Sequence, residues 1–343
     1  PNSDSNNLNV AIKVKATYKD KGGSVNAKIV FLWDEGGTTD TVLLYRMAKR
    51  AKENAMTSVI IADPAQLPPV AAGGVIKRLI REVGNVHLTE NKRQQDPADK
   101  EAVQAIREGQ AKEALANYDS RGRVTVAKDR TEALHELVGE WVRQGALENL
   151  KGSMVFTQTR QEAHLANLAC QAERIRHRKI PSFRSLTIGD EKLFAGDRVL
   201  FNAAYRAVGI ENGYRGTVVS VDPIHRKLTV EIDQPLNPKP WQKQKKPSQV
   251  VTVPVDKLKR DDGRAPIMLG FAATTHSMQG PTINTSFILA GGKMTDREMA
   301  YVQTTRGREK TFIVVDDAHA GEHLVDIAEA LTRSRAKDLA HEV

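Results

Sequence analysis

The feature that most constrains the fold is a pair of short apolar runs, each followed closely by an acidic residue. The runs span residues 27–33 and 58–61, and they lead into Asp34 and Asp63. Between them, residues 38–54 place apolar side chains at helical spacing. This strand, helix, strand order predicts half of a parallel α/β layer, whose chemistry lies at the carboxyl ends of the strands.

Later segments predict a second α/β layer with a β-rich insertion. Residues 96–144 carry a helical pattern, and apolar runs that suit strands follow at 153–157, 287–290 and 311–315. Between residues 194 and 260 the chain changes to short β-rich runs punctuated by Gly and Pro. We therefore predict two α/β layers, with a small barrel inserted into the second.

Composition narrows the class of protein. Lys and Arg exceed Asp and Glu by 51 to 42, which favours a polyanionic partner, although a merely basic surface explains the charge equally well. The single Cys170 excludes an internal disulfide framework and a Cys-rich zinc site. No apolar run approaches the ~20 residues of a membrane span, and the first ten residues lack the pattern of a signal peptide. We expect a cytoplasmic protein without a membrane partner.

Two segments after the first strands suggest phosphate chemistry. Asp34 and Glu35 have the form of a Walker B pair, in which one carboxylate holds Mg²⁺ and the other orients the attacking water. On its own, such a pair is more often a solvated turn. The Pro-rich loop at 62–70 carries one amide side chain, Gln66, that could donate to a terminal phosphate. A purely structural turn is the alternative for this loop.

With three later segments, these residues resemble five motifs of RecD-like superfamily 1 helicases, numbered II to VI and found in the same order. The segments are Asp34–Glu35, 62–70, 88–94, 270–280 and 301–308. The chain also resembles the helicase portion of MobF and TraA-type conjugative relaxases, over roughly residues 27–343.

This resemblance implies a fold, an activity and partners. The fold is α/β, with two RecA-like (P-loop NTPase) parallel-sheet domains around an ATP cleft and an SH3-like β-barrel inserted in the second. We expect the first domain in residues 1–95, the second in 96–193 and 262–343, and the barrel in 194–261. The activity is that of a DNA helicase, an ATP hydrolase that moves 5′ to 3′ on single-stranded DNA with ATP and Mg²⁺. The other expected partners are an N-terminal relaxase domain or other conjugation proteins.

The resemblance also implies catalytic roles. Asp34 would bind Mg²⁺, and Glu35 would act as the catalytic base or orient the attacking water. Gln66 would sense the γ-phosphate. Arg93 and Arg306 would reach that phosphate from across the cleft and neutralise the charge of the transition state. Taken singly, each arginine is also an ordinary surface residue.

Further residues are expected to bind the cofactor or the DNA. Asp63, Gln279 and Gly280 are expected to bind the nucleotide. Gly280 suits this role because the absence of a Cβ lets backbone N–H groups approach a phosphate. The expected contacts to nucleic acid are His276, Trp241, Lys243, Lys245 and Lys246. A satisfied interior histidine and an ordinary solvated loop are the alternatives for these residues.

The sequence departs from the helicase pattern at one essential point. No Gly-rich loop ending in Lys and Ser or Thr occurs, and only 33 residues precede Asp34. We expect that this loop lies outside the 343 residues, either through truncation or in an upstream segment. Two alternatives to a DNA motor follow: a non-catalytic remnant that binds or scaffolds single-stranded DNA, and a motor directed to RNA.

Overall fold

A computed structural model describes most of the chain. The described residues are 11–19, 25–69, 71–88, 91–181, 183–233, 249–258, 260, 262–278 and 282–337. The strands are β1 (Ala11–Lys19), β2 (Val25–Trp33), β3 (Thr57–Ile60), β4 (Val124–Ala127), β5 (Ser153–Thr157), β6 (Ser185–Ile188), β7 (Glu191–Phe194), β8 (Arg198–Phe201), β9 (Arg215–Asp222), β10 (Lys227–Ile232), β11 (Val250–Pro254), β12 (Ile267–Leu269), β13 (Ala272–Thr274), β14 (Ile283–Leu289) and β15 (Gly307–Asp316). The helices are α1 (Thr41–Glu53), α2 (Val75–Val83), α3 (Pro97–Glu108), α4 (Ala111–Asp119), α5 (Arg130–Arg143), α6 (Arg160–Arg176), α7 (Arg297–Arg306), α8 (Asp317–Ala320) and α9 (Val325–Thr332).

The first layer is a three-stranded sheet in the order β1-β2-β3, packed with α1 and α2. β2 and β3 run parallel, as the two apolar runs predict, and α1 connects them. The carboxylate of Asp40 caps α1 by accepting the N–H of Leu43 at 2.9 Å. Trp33, Leu44 and Ile76 form the buried centre of this layer.

The first layer is mixed rather than wholly parallel, because β1 pairs antiparallel with β2. β1 was not among the strands predicted from the sequence. Its signal was present as an alternation of apolar and polar residues from Ile12 to Tyr18. This hairpin places β2 in the middle of the sheet, so the turn after Trp33 leaves a central strand.

The second layer is a five-stranded parallel sheet in the order β13-β5-β14-β15-β4. The three predicted strands, now β5, β14 and β15, form its centre, and β5 is buried along its whole length. β4 interrupts the segment 96–144, which was predicted to be helical throughout, and that part of the prediction is wrong. Four residues at a sheet edge are too short to show a strand period against the helices on both sides.

The insertion is an antiparallel sheet in the order β11-β10-β9-β8-β12. Along β10, Leu228, Val230 and Ile232 alternate inward and are fully buried, which is the period-2 pattern of a half-buried strand. The sheet extends from Arg198 to Leu269, so its last strand lies beyond residue 261. The prediction of α/β layers with parallel strands and a β-rich insertion is therefore confirmed.

Within the described residues, no helix is long and apolar enough to cross a membrane.

A buried amide side chain, that of Asn167, binds the backbone where the chain passes from the insertion back to the second layer. Asn167, on α6, is fully buried, and its Oδ1 accepts the N–H groups of Phe271 at 2.9 Å and Ala272 at 2.7 Å. Its Nδ2 donates to the carbonyl oxygen of Ala272 at 2.9 Å. This side chain therefore satisfies three backbone groups where the chain leaves β12 and enters β13.

Replacing Asn167 with Ala should destabilise the protein by about 3 kcal/mol or more, since each buried polar group left without a partner costs about 1–3 kcal/mol. The matched control is Asn54→Ala, which removes an exposed hydrogen bond to the carbonyl of Arg50 and should change stability by less than about 0.5 kcal/mol. Urea unfolding of both variants measures the difference. Equal stability of the two variants would contradict this role of Asn167.

Candidate functional site

A constrained turn follows β2. Glu35 has φ 54° and ψ 34°, in the left-handed region, which costs a residue with a side chain about 1–2 kcal/mol. The turn is held from both sides. The Glu35 N–H donates to Oδ1 of Asp34 at 2.9 Å, and the Gly36 N–H donates to the carbonyl of Ile61 at 2.9 Å. A Cβ at Gly36 would lie 2.5 Å from Cγ2 of Ile60, so this position requires Gly.

The Glu35 carboxyl lies within a group of charges. Burial raises the pKa of Glu35, and the negative charges of Asp34 and Asp63 raise it further. The positive charges of Arg306 and Arg93 act in the opposite direction. The structure therefore brings together the acidic pair and the two arginines that the sequence places more than fifty and more than two hundred residues away.

Arg306 ends α7 as a buried cation. It is 2% exposed, and within the described residues it forms no salt bridge, while its Nε has no hydrogen-bond partner. Burial, followed by the nearby positive charge of Arg93, lowers the pKa of Arg306 to about 10. An uncompensated buried charge is costly in a protein interior, so this position suits an anionic ligand.

The turn that carries Arg306 is held by the segment 93–95. Nη1 of Arg93 donates to the carbonyl of Thr305 at 3.2 Å. Nε2 of the buried Gln94 donates to the same carbonyl at 3.0 Å and to that of Gly307 at 2.8 Å. Gln94 thus forms hydrogen bonds to the backbone on both sides of Arg306. Gln94 was not among the predicted site residues, because a glutamine beside a candidate arginine carries no sequence signal of its partner.

The loop after β3 contacts the second layer. The carboxylate of Asp63 accepts a hydrogen bond from the Tyr301 hydroxyl at 3.1 Å and forms a salt bridge with Arg107 at 3.2 Å. Nε2 of Gln66 lies 3.5 Å from Oδ2 of Asp63, and its Oε1 is buried with no hydrogen-bond partner among the described residues. Arg107 and Tyr301 had no assigned function in the sequence analysis.

Some of the remaining predicted site residues lie in the described part of the chain, and the others lie outside it. Asp34 is exposed and lies beside Glu35. His276 is also exposed, and it lies in a short 3₁₀ helix after β13. In the described part of the chain, no hydrogen bond or ion pair joins His276 to the groups around Glu35. Six predicted positions lie outside the described residues: Trp241, Lys243, Lys245, Lys246, Gln279 and Gly280.

The site contains few candidate metal ligands. Among the described residues, no group of three or more His, Cys, Asp or Glu side chains is placed to hold a metal ion. Mg²⁺ in nucleotide sites is commonly held by one or two carboxylates together with substrate phosphates and water. Asp34, at the end of a central strand, fits this kind of site.

Comparison with known proteins supports the assignment from the motifs. Residues 5–129 match the model of a family described as an AAA domain. The conjugal transfer protein TraA of Agrobacterium fabrum is 25% identical over 295 residues, which cover 82% of this chain and 24% of TraA. The probable conjugal transfer protein TraA of Sinorhizobium fredii is 23% identical over 284 residues, with the same coverage. This chain spans about a quarter of the length of these relatives.

Solved structures of Pif1 helicases are also similar to this chain. The Bacteroides Pif1 helicase in complex with ADP-AlF3 and ssDNA has a TM-score of 0.49 and 17% identity, and the match covers 86% of this chain and 71% of that one. The Pif1 helicase of Candida albicans has the same TM-score and identity, with coverage of 82% and 72%. The AAA match and the TraA relatives confirm the resemblance predicted from the motifs.

The raised pKa of Glu35 predicts how stability depends on pH. Because the folded state favours the neutral carboxyl, the stability that Glu35 contributes is present at low pH and is lost as pH rises through its raised pKa. Glu35→Gln should therefore raise Tm at pH 8, and the gain should shrink as pH falls towards the ordinary pKa of 4.5. Thermal unfolding across this range tests the prediction.

The control is Glu322→Gln, whose parent side chain is 92% exposed and should leave Tm nearly unchanged at every pH. A Glu35→Gln variant that is less stable than the parent at pH 8 would contradict this account of the turn.

Proposed function

We propose that this chain, which carries an AAA domain and is a distant relative of the TraA conjugal transfer proteins, forms part of an ATP-driven motor on single-stranded DNA. In this proposal the two α/β layers are RecA-like domains, with ATP bound between them, and the antiparallel insertion is an SH3-like barrel. The expected direction is 5′ to 3′, as the similarity to RecD-like helicases implies. The domain limits proposed from the sequence are 1–95, then 96–193 with 262–343, and 194–261.

The observation that carries the proposal is the buried Arg306 opposite Glu35. A guanidinium that is 2% exposed and has no carboxylate partner among the described residues needs an anion to balance its charge. The triphosphate of a bound nucleotide would supply this anion, and an arginine beside it would stabilise the charge that is spread over the phosphoryl oxygens in the transition state. Arg93 lies close enough to shift the pKa of Arg306 and adds a second positive charge.

Glu35 supplies the other half of this chemistry. A carboxylate with a raised pKa is a better proton acceptor than an ordinary glutamate, and in this proposal Glu35 orients a water for attack on the terminal phosphate. Asp34 would hold Mg²⁺, which neutralises phosphate charge when bound. Oε1 of Gln66 has no hydrogen-bond partner among the described residues, and in this proposal the Gln66 amide senses the terminal phosphate.

The proposed track is single-stranded DNA. The net charge of +9 suits a polyanion, and each phosphate that the protein neutralises releases counterions. The exposed His276 at the end of β13, together with Trp241 and the lysines of the insertion, remains the proposed set of contacts. A motor on RNA would share these features, so affinities for matched DNA and RNA strands distinguish the two tracks.

A second candidate function is a module that binds single-stranded DNA without hydrolysing ATP. It is favoured by one feature of the sequence: no Gly-rich loop ending in Lys and Ser or Thr occurs within the 343 residues. A module of this kind has no use for a base at Glu35 or for a buried cation at Arg306, so the same variants separate the two candidates.

Glu35→Gln should lower DNA-stimulated ATP turnover of the full-length protein about 100-fold or more, because the carboxylate that accepts the proton is gone. Arg306→Ala should lower kcat about 1000-fold, as expected for a charge that stabilises the transition state. Both variants should bind a single-stranded oligonucleotide with the affinity of the parent. Steady-state kinetics and fluorescence anisotropy measure these quantities.

The matched control is Arg176→Ala, which removes an exposed arginine whose side chain is 67% accessible. It should keep parental turnover. Salt-sensitive DNA binding with no ATP turnover in the full-length parent would support the binding module instead of the motor.

A further inference from the structure

We propose that Asp63, Arg107 and Tyr301 form a latch between the two layers, and that this latch positions Arg306 and Gln66 for ATP hydrolysis. The inference rests on the proposed function and adds three positioning residues to it. The name cross-layer latch is used below for these three side chains.

The cross-layer latch is a continuous chain of polar contacts. The Tyr301 hydroxyl donates to Oδ2 of Asp63 at 3.1 Å and accepts from Nη1 of Arg107 at 2.8 Å. Nη2 of Arg107 closes the triangle with Oδ1 of Asp63 at 3.2 Å. The Arg107 guanidinium also lies 5.4 Å from the centre of the Tyr301 ring, within the range of a cation–π contact. Each side chain thus contacts both others.

The latch requires a neutral tyrosine, since the hydroxyl must donate to a carboxylate. Tyr301 is 8% exposed, and burial together with the charge of Asp63 raises the pKa of its hydroxyl, with Arg107 acting in the opposite direction. The hydroxyl therefore keeps its proton at neutral pH and can act as donor and acceptor together.

The latch joins the two parts of the proposed site. Asp63 lies three residues before Gln66 in the loop after β3, and Tyr301 lies five residues before Arg306 on α7. All residues of α7 from Glu298 to Arg306 are buried, so the helix is packed on all sides. A shift of the loop at Asp63 is therefore transmitted to Arg306 through a helix that is confined by its neighbours.

An apolar contact also holds the two layers together at this point, and it does not involve the latch residues. Leu67, from the same loop, packs with Met299 and Val302 of α7 in a small buried apolar cluster. This cluster holds the loop on the helix by burying apolar surface. The hydrophobic effect is non-directional, so it does not fix the orientation of the loop. The hydrogen bonds of the latch are directional, so they set the position of one surface on the other. Loss of the latch should thus misalign the site without separating the layers.

The chain offers substitutions that remove the polar contacts of one latch residue at a time and keep the shape of its side chain. Tyr301→Phe removes the hydroxyl and keeps the ring under Arg107. Asp63→Asn removes the charge and keeps an oxygen for the Ala65 N–H, which donates to Oδ1 of Asp63 at 3.1 Å. Tyr45→Phe is the matched control, because Tyr45 lies on α1 and is 65% exposed.

The first measurement is steady-state ATP turnover of the full-length protein. Each latch variant should lower kcat about fivefold or more while KM for ATP changes less than about twofold. The double variant Asp63→Asn/Tyr301→Phe should be no slower than the worse single variant, because both changes break one connected unit. Tyr45→Phe should match the parent. Parental kcat in both latch variants, or fully additive losses, would overturn the latch.

A second measurement keeps the latch separate from the proposed function. Hydrogen exchange of the backbone amides in residues 63–67 should accelerate in both latch variants, by the same factor, and no further in the double variant. If the parent hydrolyses no ATP, the proposed function fails and exchange alone decides on the latch. If exchange in this loop matches the parent in both variants, the latch is wrong even where turnover falls.

Discussion

The burial of Arg306 is the constraint on which the rest of the site depends. A guanidinium keeps its charge in nearly any environment, so the fold can accommodate it only by supplying compensating groups. Here the compensation is partial. Glu35 contributes a negative charge, whereas Arg93 adds a second positive one. Gln94 grips the backbone on both sides of Arg306 without reaching its charge. The surrounding structure therefore fixes where the cation lies and leaves it short of negative charge.

Glu35, on the acidic side of the site, likewise occupies an energetically unfavourable state. Glu35 occupies a left-handed backbone conformation and has a carboxyl whose burial raises its pKa. Both features oppose folding, and the hydrogen bond from the Gly36 N–H to the carbonyl of Ile61 helps to keep the turn in place. Residues that cost stability and cluster around one point are typical of sites selected for chemistry. In the proposed function, an anion beside Arg306 and a water beside Glu35 would satisfy both groups.

The sequence predicted the parts of this arrangement that have a local pattern. β2, α1 and β3 could be placed from periodicity, and the resemblance to RecD-like helicases implied that Arg306 would face Glu35 across the cleft. β4 could not be predicted because four residues are too few to show a strand period, whereas β1 carries an alternation of apolar and polar residues that is typical of a strand. The contacts of Asp63 with Tyr301 span 238 residues. No local pattern encodes a pairing at that distance, because it depends on how two layers dock.

The position of α7 explains why these distant contacts matter for the chemistry. A helix with one exposed face can tilt or slide at small cost, since water replaces the contacts that it loses. α7 is buried from Glu298 to Arg306, so any displacement disturbs packing on every side. Tyr301 and Arg306 therefore move together or not at all. Since Asp63 contacts the first of these residues and precedes Gln66 by three positions, the state of the loop after β3 and the position of the buried cation are linked through one rigid element.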